Sequence, residues 1–228
     1  MAIPGLDCDD LRLCYTDPAV WDGFNPELMT LCSPDPQAFR PPDEPVNVLQ
    51  VSLPTNFKAA RFASDAHTDI LRQMQADIEA IRFDTGNELI ELPVKLKVHE
   101  SVFVPLAKWA MLLTGNYRCI QADGPRSIKA AVHTDIEKSR AIFTWVNEVC
   151  RACGAAADDL VPFEKYAKAA EGLTRPSSAA RGLFAGAKNI ERVDRLVQAV
   201  AGQVNMQSDD VNAIVALVDH RLAINRGA

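Results

Sequence analysis

Two phosphate-cradling patterns are missing from this sequence. None of its 11 glycines falls in a G-x-G-x-x-G or a G-x-x-x-x-G-K-[ST] run, so neither usual loop that aims backbone N–H groups at a nucleotide is encoded. Long apolar runs are also missing. No stretch approaches the ~20 residues needed to cross a bilayer, and Met1-Ala2-Ile3-Pro4-Gly5 lacks the basic-then-apolar order of a secretory signal. A cytoplasmic location with no membrane partner is therefore expected. Positive charge is in deficit: 24 Lys and Arg against 30 Asp and Glu give a formal net charge of −6, which opposes non-specific binding to nucleic acid. None of His67, His99, His133 and His220 has a second His or Cys at i+3 or i+4, so no metal site is expected. Of the six cysteines, only Cys150 and Cys153 share a suggestive spacing. They fall late in a helical pattern with no second pair, and are expected to pack as small hydrophobes.

What is present divides the chain near residue 45. Nine of the 14 prolines lie in residues 1–54, where acidic residues outnumber basic ones. Proline removes a donor and restricts the residue before it. Residues 1–45 therefore read as an acidic, proline-rich loop segment with one short element around Leu28–Leu31. Residues 46–98 read β–α–β. Val46–Leu53 is β-branched and nearly alternating, and Ala66–Phe83 places Ile70, Leu71, Met74, Ile78 and Ile81 at helical spacing. Thr85-Gly86-Asn87 turns the chain, and Leu89–Val98 alternates with an edge or a break at Pro93.

From residue 99 the period becomes 3.6. Helices are expected over about 100–117, from Gly124-Pro125 to Cys153, over 157–171, after Pro176-Ser177-Ser178, over Asn189–Val204, and from Ser208 onward. Residues 99–228 thus read as a helical domain with a shared core, and the fold class is mainly α.

One segment carries a chemical signal. Lys108 is a lone cation in Val104-Pro105-Leu106-Ala107-Lys108-Trp109-Ala110-Met111-Leu112-Leu113-Thr114-Gly115-Asn116. A lysine so placed must snorkel, find a partner, or occupy a cleft where desolvation lowers its pKa and suits it to general-acid work. Asn116 follows two helical turns later, on nearly the same face.

This arrangement resembles the Lys-x-x-x-Asn-x-x-x-Asn pattern of ketopantoate reductases, matched at Lys108 and Asn116, with Leu112 where the first asparagine belongs. Glu148-Val149-Cys150-Arg151-Ala152-Cys153-Gly154, then Pro176-Ser177-Ser178, Gly186 and Glu191, are similar to later landmarks of that family, with Glu191 about one residue off the usual spacing. The resemblance covers roughly residues 99–225. It implies a helical domain like that of 6-phosphogluconate-dehydrogenase-type reductases, preceded by a β–α–β remnant of a nucleotide-binding domain.

The resemblance further implies NADPH-dependent reduction of a small 2-keto acid, in the chemistry of pantothenate biosynthesis. Lys108 would protonate the carbonyl oxygen and Glu191 would orient the substrate or the lysine. Asn116 and Ser178, with Ser177 as second choice, would hold the substrate, and a homodimer would pair through the helical domain. The missing glycine loop withholds a pyrophosphate site. The readings that remain are a ketopantoate-reductase-like oxidoreductase whose glycine-rich part is truncated or supplied by a separate chain, a catalytically silent helical module for dimerisation or partner binding, and an unrelated helical protein with chance matches.

Overall fold

The computed structural model describes residues 3, 5–33, 38–39, 45, 50–51 and 55–227. The chain is mainly helical, with 57% helix and 10% strand. It divides into two compact units. One is Phe24–Leu106; the other joins Ala2–Gly23 to Ala107–Ala228.

The chain opens, in the second unit, with α1 (Cys8–Arg12), where the Asp7 side chain accepts from the Asp9 N–H as N-cap. A 3-10 turn spans Pro18–Gly23. Both stand where an extended loop is expected from the prolines; α1 contains no proline, and the 3-10 turn has Pro18 at its first position, where proline is compatible with helical geometry. Neither buries a residue.

In the first unit, β1 (Cys32–Ser33) runs antiparallel to β4 (Thr55–Ala60), and β4 runs parallel to β7 (Val94–His99), giving the order β1-β4-β7. A two-stranded pair, β2 (Ala38–Phe39) with β3 (Gln50–Val51), stands apart. The strand expected over residues 46–53 lies mostly outside the described residues, and its described part, 50–51, is strand. Thr55–Ala60 is a strand that propensity does not announce. Ala59 and Ala60 are buried, and it is this burial rather than β-branching that fits them to an inner strand.

Helix α2 (Asp65–Ala80) links β4 to β7, completing a parallel β–α–β crossover. Ser64 Oγ caps it by accepting the His67 N–H. Buried Thr68 ties the entry turn together, accepting from the Phe62 N–H at 3.1 Å and donating to the Ser64 carbonyl at 2.8 Å. Gln75 Oε1 accepts the Val98 N–H at 2.8 Å. A hairpin follows, β5 (Arg82–Asp84) with β6 (Leu89–Glu91), turning at Gly86 with φ +84°. Residues 92 and 93 separate β6 from β7, so the expected single strand breaks at Pro93. The unit ends in α3 (Phe103–Leu106), whose Phe103 N–H is held by Ser101 Oγ.

The second unit resumes with α4 (Lys108–Met111), a π-turn over Leu112–Asn116 and a 3-10 turn over Tyr117–Cys119. Thus the helix expected over 100–117 is four short pieces. The expected Gly124–Cys153 helix is also two: α5 (Ile128–His133) and α6 (Ile136–Ala152). Asp135 leaves helical geometry at φ −140° and caps α6 through the Lys138 N–H, which explains the break. Then come α7 (Phe163–Ala170), α8 (Ser178–Phe184), α9 (Val193–Gln203) and α10 (Asp209–Arg226).

Helix α6 supplies the centre of the core with Ile142, Phe143, Val146 and Val149, all essentially buried. Phe143 stacks on Tyr166 and meets Phe163 edge-on, each with ring centroids 5.5 Å apart. Val197, Val200 and Ala201 of α9 and Val211, Val215, Val218 and Leu222 of α10 are buried as well. Cys150 and Cys153 are buried free thiols. Burial pushes the Cys150 thiol up to about 12, which leaves it unreactive at neutral pH.

Candidate functional site

The residues singled out by sequence, Lys108, Asn116, Ser177, Ser178 and Glu191, all lie in the helical unit. Along residues 107–120 most side chains are buried, and Lys108, Met111, Leu112 and Asn116 are half-buried. These four recur at spacings of three and four, so they form one stripe reaching the surface of an otherwise submerged run. Lys108 and Asn116 therefore share a face, with the apolar Leu112 between them.

A π-turn separates the two, and its cause is visible. Tyr166 Oη donates to the Met111 carbonyl at 3.0 Å, occupying an acceptor that an α-helix would give to residue 115. Gly115 makes the approach feasible. A Cβ built there would stand 2.0 Å from Tyr166 Oη, well inside contact. A hydroxyl inserted into the backbone ladder and a glycine that admits it produce the wider turn. Within it Thr114 is fully buried, and its Oγ1 has no hydrogen-bond partner.

The end of the π-turn ties the site to the later helices. Ser177 is buried, caps α8 by accepting the Ala180 N–H at 3.2 Å, and donates to the Asn116 carbonyl at 2.7 Å. Its one proton is therefore committed. Ser178 is exposed at the first position of α8. Tyr117, buried, donates to the Glu191 carbonyl at 2.6 Å and accepts the Val193 N–H at 2.9 Å, at the start of α9. Burial pushes the Tyr117 hydroxyl well above its ordinary value, and Asp194 adds to the effect.

The structure brings Asn116 and Ser177 into direct contact and places Glu191 one hydrogen bond from Tyr117. It does not bring the Glu191 carboxylate to the lysine. Glu191 is exposed, and its carboxylate forms no ion pair among the described residues. It lines a cavity of about 260 Å³ with Tyr15, Arg192, Leu196 and Leu222. The helix expected over Asn189–Val204 starts at Val193, so Glu191 lies outside it.

Sequence reasoning missed the groups that build this site: Gly115, Tyr117, Tyr166 and an ionic cluster at the start of α9. Asp194 is fully buried and takes both Nε and Nη2 of Arg192 at 2.9 Å. Asp219 on α10 takes Arg192 at 2.6 Å and Arg195 at 2.7 Å. Burial alone would raise the Asp219 carboxyl, but the two guanidiniums outweigh it and hold it below its ordinary value. Arg118 is a buried cation, donating to Ser139 Oγ at 2.6 Å and, more loosely, to the Thr114 carbonyl. Burial pulls its pKa down, and Arg126 does so further. A mid-helix glycine was the one available sign of the first group; a tyrosine fifty residues away gave none.

The expected cofactor can be tested against the β–α–β crossover of the first unit. A dinucleotide needs a close backbone approach and free N–H groups where β4 turns into α2. The turn, Arg61-Phe62-Ala63-Ser64, has no glycine. Its Phe62 N–H is given to Thr68 Oγ1 and the His67 N–H to Ser64 Oγ. Asp65, paired with Arg61, puts a carboxylate in the first helical turn. With no glycine for close approach, two N–H groups already committed and a carboxylate in the first turn of α2, this turn does not fit NADP. Among the described residues no cluster of three or more His, Cys, Asp or Glu is arranged to hold a metal ion, and no helix is long and apolar enough to cross a membrane.

No family model, curated protein or solved structure matches this chain.

Proposed function

We propose that this chain is the substrate-side helical unit of a ketopantoate-reductase-like oxidoreductase, one that binds a small 2-keto acid and has no nucleotide site of its own at the β4–α2 turn. The observation that carries the reading is the stripe on which Lys108 and Asn116 surface from an otherwise buried run. An ammonium and an amide on one face suit a ligand with adjacent carboxylate and carbonyl oxygens. In this reading Lys108 contacts the keto-acid oxygens and Asn116 positions them, while Ser178, exposed at the head of α8, is the serine available to a ligand. Ser177 is a positioning residue, because its hydroxyl holds the Asn116 backbone.

Titration of 2-oxobutanoate into the full chain, followed by NMR, tests the reading. Saturable shifts that are lost in Lys108→Ala and weakened in Asn116→Ala are expected, with the far-UV spectrum unchanged in both. Saturable shifts that survive Lys108→Ala would remove the lysine from the site.

A second reading has its own observation. The Ser177 hydroxyl and the Glu191 carbonyl are both consumed in structural bonds, as suits a catalytically silent module kept for dimerisation or partner binding. It predicts no shifts with any 2-keto acid and a dimer in sedimentation that Lys108→Ala leaves intact.

A further inference from the structure

The first unit leaves an apolar surface uncovered. On α2 the packed positions are Thr68, Leu71, Gln75 and Ile78, whereas Ile70 is 64% exposed and Met74 49%. Positions 70, 74 and 77 fall within one arc of α2 beside the packed face. Ile81, 53% exposed, leads directly into the β5–β6 hairpin. There Phe83 pairs with Ile90, so both project from the same side of the ribbon, and both are exposed. By the two-residue alternation Ile81 shares that side.

Two features indicate what this surface is for. No residue of either hairpin strand is buried, and a two-stranded ribbon with no covered face is marginal in water. The segment that carries the surface is acidic as well. From Asp65 to Glu91 there are seven carboxylates against two arginines; Asp65, Glu79 and Glu91 are paired with Arg61, Lys97 and Arg82, whereas Asp77, Asp84 and Glu88 form no ion pair among the described residues. Asp77 lies inside the apolar arc itself, held by Gln73 at 2.8 Å.

A second copy would set Asp77, Asp84 and Glu88 near their own counterparts, and like charges brought together cost association. A basic amphipathic segment would not. We infer that the face made by Ile70, Met74, Ile81, Phe83 and Ile90 docks a partner protein through a helix with an apolar stripe flanked by Lys or Arg. The apolar stripe of the partner covers the hairpin and α2, and a basic side chain reaches Asp77. Large side chains of ~200 Å² each, exposed by about half, offer several hundred Å² here, short of the ~800 Å² per partner of a standard stable interface and suited to a transient, salt-sensitive complex.

The test is fluorescence anisotropy on the full chain with a labelled ~18-residue helical peptide of leucine and lysine, and with its leucine–glutamate counterpart. The basic peptide should bind and weaken as salt is raised; the acidic one should not bind. Ile70→Ser with Phe83→Ser should weaken the basic peptide about tenfold or more, and Asp77→Asn less. Melting temperatures of these variants should stay near wild type, since the residues are exposed. Equal binding by wild type and the double serine variant would overturn the proposal. So would a concentration-dependent dimer in sedimentation that the double variant abolishes, which would make a second copy the occupant.

Discussion

The helical unit and the sheet-bearing unit of this chain bury their apolar residues very differently. All twelve of the largest fully buried side chains, from Leu113 to Val218, belong to the helical unit. Among the described residues the helical unit exposes five large apolar side chains, four of them (Leu13, Tyr15, Val20, Trp21) in its N-terminal piece and one, Ile224, beyond residue 106; in the sheet-bearing unit six are exposed between 70 and 90 alone. Hydrophobic free energy follows buried area, so the helical unit carries the stability, while the sheet unit has apolar area left over for association.

The largest expected effect sharpens that contrast. Phe143→Ala should cost about 4 kcal/mol, as large-to-small changes in a packed core do, whereas Ile70→Ala should stay within about 0.5 kcal/mol. Chemical denaturation of the two variants measures both, and comparable losses would erase the distinction between the units.

The π-turn comes next. Gly115→Ala should destabilise by about 3 kcal/mol, because the new methyl displaces the Tyr166 hydroxyl from a closed core. Tyr166→Phe, which keeps the ring and removes the bond to the Met111 carbonyl, should cost about 1–2 kcal/mol by leaving a buried acceptor unsatisfied. If the tyrosine bond sets the π geometry, amide resonances of residues 112–116 should shift in Tyr166→Phe more than those of α9. Uniform or absent shifts would assign the turn to some other cause.

The smallest effect concerns pH. Asp219 sits below its ordinary carboxyl value in the fold because Arg192 and Arg195 outweigh its burial. Its contribution is therefore present above the unfolded value near 4 and disappears as pH falls through the lower folded value. Asp219→Asn should flatten the acid limb of a stability–pH curve without changing its slope above pH ~6. An unchanged acid limb would show that the α9–α10 ion cluster does not hold the unit together.

Much of the architecture could be read before the structure. The 3.6-residue period placed helix over the stretches that hold α6, α9 and α10, while Pro176-Ser177-Ser178 and Ser208 marked where α8 and α10 begin. What sequence could not show was where helices stop for tertiary reasons. Asp135 looks like any surface acid until it is seen capping α6. The Lys108–Asn116 helix reads as continuous because its interruption comes from Tyr166, about fifty residues away. Strand β4 was hidden by its alanines, whose fitness is burial rather than propensity. Of the candidate site, the face shared by Lys108 and Asn116 follows from their spacing. The commitments of Ser177 and the Glu191 carbonyl depend on contacts 61 and 74 residues apart, which no local pattern encodes.

The proposed division between a keto-acid face in the helical unit and a β–α–β turn that does not cradle nucleotide is tested most directly by titrating NADPH into the full chain while following its fluorescence. The prediction is no saturable change up to millimolar protein or cofactor, and no oxidation of NADPH when 2-oxobutanoate is added. Saturable micromolar binding, or turnover that disappears in Lys108→Ala, would contradict it.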